Sequence, residues 1–172
     1  MICSRSLDDL LPEVASLAKE HDRLCQEAGL DLLIYCTYRD FEWQAGLYQN
    51  KRTAEEISIG VAKLRSIGRE DLAKCLETPQ KLSIVLPAKT VTWALPGYSF
   101  HQYRRAYDCV PMVGGKPVWS LTTSTAPVWM RVGEIGEKLG LEWAYRWPKQ
   151  KREVFHFQLT GGKTIQDLLS GR

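Results

Sequence analysis

Apolar positions Val14, Leu17, Ala18, His21, Cys25 and Ala28 recur at helical spacing, with Gly29 as a stop signal. Ser6 followed by Asp9 reads as the start of that helix. Leu32 to Tyr38 is a β-rich run that predicts a buried strand, and Asp40 is placed to cap a helix from Phe41 to Gln49. Two shorter helical patterns follow on either side of Gly68, the first marked by Ile57, Val61 and Leu64, the second by Leu72, Cys75 and Leu76. Strand character returns over Thr90 to Trp93, and Pro96-Gly97 marks a turn. Ala106 to Val113 alternates as a strand, Gly114-Gly115 is a hairpin signal, and Lys116 to Trp119 is the expected return. Thr125 and Pro127 open a helix with Val128, Val132, Ile135 and Leu139 on one stripe. Val154 to Leu159 predicts a last strand and Ile165 to Leu169 a short terminal helix.

Helices and antiparallel hairpins in this order predict an α+β fold, with a small antiparallel sheet flanked by helices. The 172 residues fit one domain, 1–172, and the polar-faced segment 51–88 reads as a helical insertion, either a solvated excursion or a lid. Hydrophobic residues at 44% and charged residues at 25% are ordinary for a globular protein. A net charge of +3, with Lys and Arg scattered, argues against a nucleic-acid partner. No run of residues is long and apolar enough for stable membrane insertion, and the N-terminal residues lack the apolar core of a secretory signal. The five cysteines have no CxxC spacing; reduced, mostly buried thiols are expected, and none is singled out as a nucleophile or ligand.

Chemistry concentrates in Ser99-Phe-His101-Gln-Tyr-Arg-Arg-Ala106-Tyr-Asp108 and, further on, Glu153-Val-Phe-His156. Two of the chain's three histidines fall here; the third, His21, lies on the apolar stripe of the first helix and reads as a hydrogen-bonded core residue. Along a strand Ala106, Asp108 and Val110 share a face, as do His156 and Gln158. An ionised Asp108 on a core-facing side is costly unless paired or bound to a metal. His101, Asp108 and His156 thus form a sensible three-ligand zinc set with an open position, and a buried Asp–His hydrogen bond without metal is the alternative. Glu153, three residues from His156, must come from a loop to reach the same place.

These residues resemble the zinc D-Ala-D-Ala peptidases, whose first motif is SxHxxGxAxD and whose second is ExxH. That family includes D,D-carboxypeptidases, D-Ala-D-Ala dipeptidases and phage endolysins that cut the L-Ala–D-Glu bond of peptidoglycan, on a fold shared with hedgehog domains. Thr37-Tyr-Arg39-Asp-Phe-Glu-Trp-Gln44, Pro96-Gly97-x-Ser99-x-His101, Gly115-Lys-Pro-Val-Trp119 and His156-Phe-Gln-Leu-Thr-Gly-Gly162 are similar to endolysin segments too. The resemblance implies one Zn²⁺ per chain on His101, Asp108 and His156, with Glu153 as general base. It implies Arg39 as an oxyanion or carboxylate clamp, with Gln44 and Ser99 near the substrate. One departure stands out: the family's glycine is Arg104 here, and a positive φ there would strain it.

The resulting expectation is a zinc peptidoglycan peptidase, foremost an endolysin hydrolysing L-Ala–D-Glu in stem peptides. It would be made in the bacterial host cytoplasm, released through a holin-type pore and active on the cell wall as a monomer. A D-Ala-D-Ala carboxypeptidase or dipeptidase uses the same chemistry, and a non-catalytic zinc-containing binding module is the alternative of another class.

Overall fold

The computed structural model describes residues 1–171. In chain order its regular elements are α1 (Pro12–Glu27), β1 (Asp31–Cys36), α2 (Phe41–Gln49), α3 (Ala54–Ser66), α4 (Glu70–Glu77), β2 (Ala106–Val113), β3 (Lys116–Pro117), α5 (Ala126–Lys138), β4 (Glu142–Trp143), β5 (His156–Gln158) and α6 (Ile165–Leu169). The α+β expectation holds. These elements fall into two compact units. One comprises residues 1–3, 39–102 and 163–171, the other residues 4–38 and 103–162.

The second unit holds the whole sheet, an antiparallel array in the order β1-β2-β5-β4 with β3 against β2. Alternation along β2 sends Tyr107 and Cys109 to one face, where they meet Val14, Ala18 and Cys25 of α1, Val132 of α5 and Phe157 of β5. His21 is fully buried in this core. Its Nε2 donates to the Val132 carbonyl at 2.9 Å, so its Nδ1 accepts from the Tyr107 hydroxyl at 2.6 Å. Burial lowers the His21 pKa, with the Val132 bond opposing, and the ring stays neutral as the core residue its stripe predicted. On α5 the predicted stripe does face the core, with Val132 fully buried and Val128, Ile135 and Leu139 half-buried, and Trp129, Gly133 and Gly136 are buried beside it. A Cβ on Gly133 would lie 2.2 Å from the Trp143 ring, so the indole sits where that side chain would be.

The other unit is helical. Ala45 of α2, Val61 and Leu64 of α3, Leu72, Ala73 and Leu76 of α4, and Leu95 form its core. Asp40 caps α2 as expected, accepting from the Trp43 amide at 2.7 Å. Thr53 and Glu56 make a reciprocal capping box on α3, and Gly68, at φ 76°, ends it.

Four local expectations need correction. Ser6 caps only a 3-10 turn over Leu7–Asp9, and α1 begins at Pro12, whose missing N–H suits a first helical turn. Residues 90–93 are not a strand; Gln44 Nε2 and Arg52 Nη2 donate to Ala94 and Thr92 carbonyls at 2.8 and 2.7 Å, in place of a neighbouring strand. The return strand stops at Pro117, since Pro111 and Pro117 each remove a ladder donor. The last strand is regular only over His156–Gln158; the Val154 carbonyl is taken instead by Trp143 Nε1 at 2.7 Å.

Candidate metal centre

Strand register builds most of the site. Asp108 of β2 is opposite Cys36 of β1 and opposite His156 of β5. Cross-strand partners present side chains on the same face, so three donor residues line up across three adjacent strands. The Asp108 carboxylate and the His156 imidazole are nearly fully buried. Asp108 Oδ1 lies 3.1 Å from His156 Nδ1, and the second imidazole nitrogen lies 3.0 Å from Gln158 Oε1. Gln158 Nε2 in turn donates to Glu142 Oε2 at 2.9 Å, and Thr160 donates to the other Glu142 oxygen at 3.0 Å. This chain of bonds fixes the ring orientation. Burial alone would lower the His156 pKa. The hydrogen bond and charge of Asp108, with the charge of Glu153 and the Gln158 bond, outweigh it and raise the value.

Glu153 is half-buried, in the loop between the 3-10 turn Lys149–Lys151 and β5. Its amide reaches the Ala144 carbonyl at 3.4 Å, and the next residue is pinned through Val154 to Trp143. The loop origin expected for Glu153 is therefore what the structure has, close enough for its charge to act on His156.

In the helical unit, His101 is fully buried in the 3-10 turn Phe100–Tyr103. The approach to it is set by Gln102, whose Oε1 accepts from the Gly97 and Ser99 amides at 2.9 and 3.2 Å. Gly97, at φ 86°, supplies the turn that the Pro96-Gly97 pair announced. Arg39 Nη2 donates to Ser99 Oγ at 3.4 Å, so two of the three substrate-side candidates touch. The third, Gln44, is fully buried; its amide holds Ala94 and Thr92, at 2.8 and 3.3 Å, and its Oε1 meets no donor among the described residues.

The donor chemistry fits zinc. A buried carboxylate and a buried imidazole stand side by side, and the imidazole is oriented by a further hydrogen bond to Gln158, as ligands of this ion usually are. The residue missed in the sequence is Cys36. Its Sγ lies within 4.8 Å of an Asp108 carboxylate oxygen. Spacing could not find it, because a register shift between Ile34 and Cys36 brings it opposite Asp108. Arg104 has φ 60°, so the positive φ that would strain a non-glycine residue is present.

The sequence profile of a D-alanyl-D-alanine carboxypeptidase family matches residues 94–159, a stretch that contains His101, Asp108, Glu153 and His156. No curated protein sequence matches the chain. Among solved structures it is similar to the vancomycin-resistance D,D-pentapeptidase VanY of a VanB-type cassette in complex with Zn(II). The identity is 16%, over 94% of this chain and 78% of that one, with a TM-score of 0.51. It is similar also to VanYB in complex with D-alanine-D-alanine, at 15% identity over 99% and 83% of the two chains, TM-score 0.50. The LD-carboxypeptidase LdcB matches at 18% identity over 94% of this chain and 64% of its own, TM-score 0.51. These likenesses establish the fold.

Proposed function

We infer that this chain is a zinc-dependent peptidase of peptidoglycan. The observation that carries the reading is the Asp108–His156 pair at 3.1 Å, with Glu153 entering from the adjoining loop, inside the family-matched segment. His101, Asp108 and His156 would hold Zn²⁺. There it supplies Lewis acidity, polarising a peptide carbonyl and bringing the pKa of water to about 7.

The remaining steps belong to the protein's own groups. Glu153 takes a proton from the attacking water as the new C–O bond forms and then passes it to the amine nitrogen, so that the C–N bond breaks with a neutral amine leaving. Arg39, steadied by Ser99, offers a planar fork to a substrate carboxylate or to the oxyanion. Gln44 contributes through the 92–94 loop it holds. His156 keeps its orientation through Asp108 and the Gln158–Glu142–Thr160 chain.

The finer reading is an endolysin that hydrolyses L-Ala–D-Glu in stem peptides, reaching the cell wall through a holin-type pore and acting as a monomer. It is supported by the residues around Arg39 and His156 that resemble endolysin segments. The family profile and the D-alanine-D-alanine complex of a similar structure favour a second reading, D,D-carboxypeptidase. Mass spectrometry of purified peptidoglycan digested by zinc-loaded protein separates them. New D-Glu amino termini establish the endopeptidase, and released D-Ala the carboxypeptidase. No cleavage by zinc-loaded protein refutes both and leaves the binding-module alternative.

A further inference from the structure

We propose that Arg104 is a specificity-determining residue that grips a free carboxylate of the peptide substrate; the inference rests on the peptidase reading above. Arg104 is one of only two non-glycine residues with positive φ among the described residues, at 60°. Left-handed backbone crowds the Cβ of any L-residue against its own carbonyl, so glycine would hold this turn more cheaply. Such outliers persist where the surroundings over-determine them, and they gather at binding sites. Here the turn is held from outside, by the Leu11 amide donating to the Arg104 carbonyl at 2.9 Å.

The two adjacent arginines are used differently. Arg105 is tied inward, its Nη1 donating to Glu13 at 3.2 Å and to the Leu159 carbonyl at 3.4 Å. Arg104 is exposed and makes no ion pair among the described residues. Its guanidinium lies over the Tyr38 ring, 5.2 Å from the centroid. A cation–π contact of this kind steadies the guanidinium without using its N–H donors as an ion pair would, and those donors match a carboxylate two-pronged.

Register places this fork at the end of the sheet that carries the candidate ligands. Tyr38 is two residues beyond Cys36, and Arg104 is four before Asp108, where Cys36 and Asp108 face one another. Four extended residues span at most about 13 Å, and one substrate residue spans about 3.5 Å. That upper bound is about four substrate residues, so the carboxylate it meets lies within about four residues of the scissile bond. The ligand class is thus an anionic peptide with a free carboxylate there, as opposed to its amide.

The test uses stem-like peptides in two forms, free acid and amide at that position, with zinc-loaded wild type, Arg104→Gly and Arg104→Lys. Binding is read by calorimetry and turnover separately. The wild type should prefer the acid about 10-fold or more, as a charge-assisted bidentate contact implies. Arg104→Gly, whose glycine takes φ 60° without strain, should unfold no earlier than wild type yet bind acid and amide alike. Arg104→Lys, charged but without the fork, should recover part of the preference. An acid preference surviving in Arg104→Gly, or none in the wild type, overturns the proposal. Binding without turnover in every variant would refute the peptidase reading instead, while the acid–amide ratio still decides the role of Arg104.

Discussion

Gly133→Ala is the sharpest test of the packing that holds the site. An added Cβ would lie 2.2 Å from two Trp143 ring carbons and 2.4 Å from a third, well inside any real contact. The indole has nowhere to retreat. It is about 1% exposed, stacks on Tyr145 and Phe157, and is bonded to the Val154 carbonyl at 2.7 Å. Overpacking of this kind costs roughly 1–3 kcal/mol, and contacts this short belong at the upper end. Replacing a helical glycine with alanine returns up to about 1 kcal/mol. The net expectation is a loss of about 2 kcal/mol, which for a chain of this size lowers the unfolding midpoint by about 4–8 °C. Urea and thermal unfolding followed by tryptophan fluorescence measure it. Because Trp143 anchors the residue after Glu153, turnover should fall more than stability alone requires. An unchanged or raised midpoint would mean that helix propensity wins, and would refute the packing argument.

Other consequences follow from single groups. Asp108→Asn removes a charged donor and the partner of His156. Zinc affinity by competition with a chelator should fall by more than the roughly 10–100-fold that losing an outer-sphere partner costs. Tyr107→Phe leaves His21 Nδ1 without its donor in the core, which should cost about 1–3 kcal/mol in urea unfolding. The lowered His21 pKa has a definite sign. Stability is full above the unfolded value of 6.5 and is lost as pH falls through it, by at most about 1.4 kcal/mol per pH unit. The His21 share of that loss, measured by unfolding between pH 7.5 and 5, should vanish in His21→Gln.

What the sequence made legible is what local rules govern. Asp40, Thr53, Gly68 and the Gly114-Gly115 hairpin mark boundaries through capping and backbone conformation, which need no tertiary partner. Period-2 alternation placed Asp108 and Val110 opposite Tyr107 and Cys109, and so gave Asp108 its buried setting. Non-local competition was not legible. The 90–93 segment has strand-forming residues, but Arg52 claims the Thr92 carbonyl, and Gln44 the Thr92 hydroxyl and the Ala94 carbonyl just beyond. The buried face of α5 is wider than its predicted stripe because Gly133 and Gly136 let Trp143 and Phe157 pack against the helix backbone, which a hydrophobicity pattern scores as nothing. Cys36 reaches Asp108 only through a register shift between strands far apart in the chain. Arg104 was readable as a departure from a motif, whereas its left-handed backbone and its seat on Tyr38 required the fold.

The most direct measurement is turnover of peptidoglycan by wild type and Glu153→Gln protein, each with its zinc content determined on the same sample. The account predicts one zinc per chain in both and turnover about 10²–10⁴-fold lower in the variant, the usual worth of a positioned general base. Equal turnover by the two proteins, or wild-type cleavage without bound metal, would contradict it.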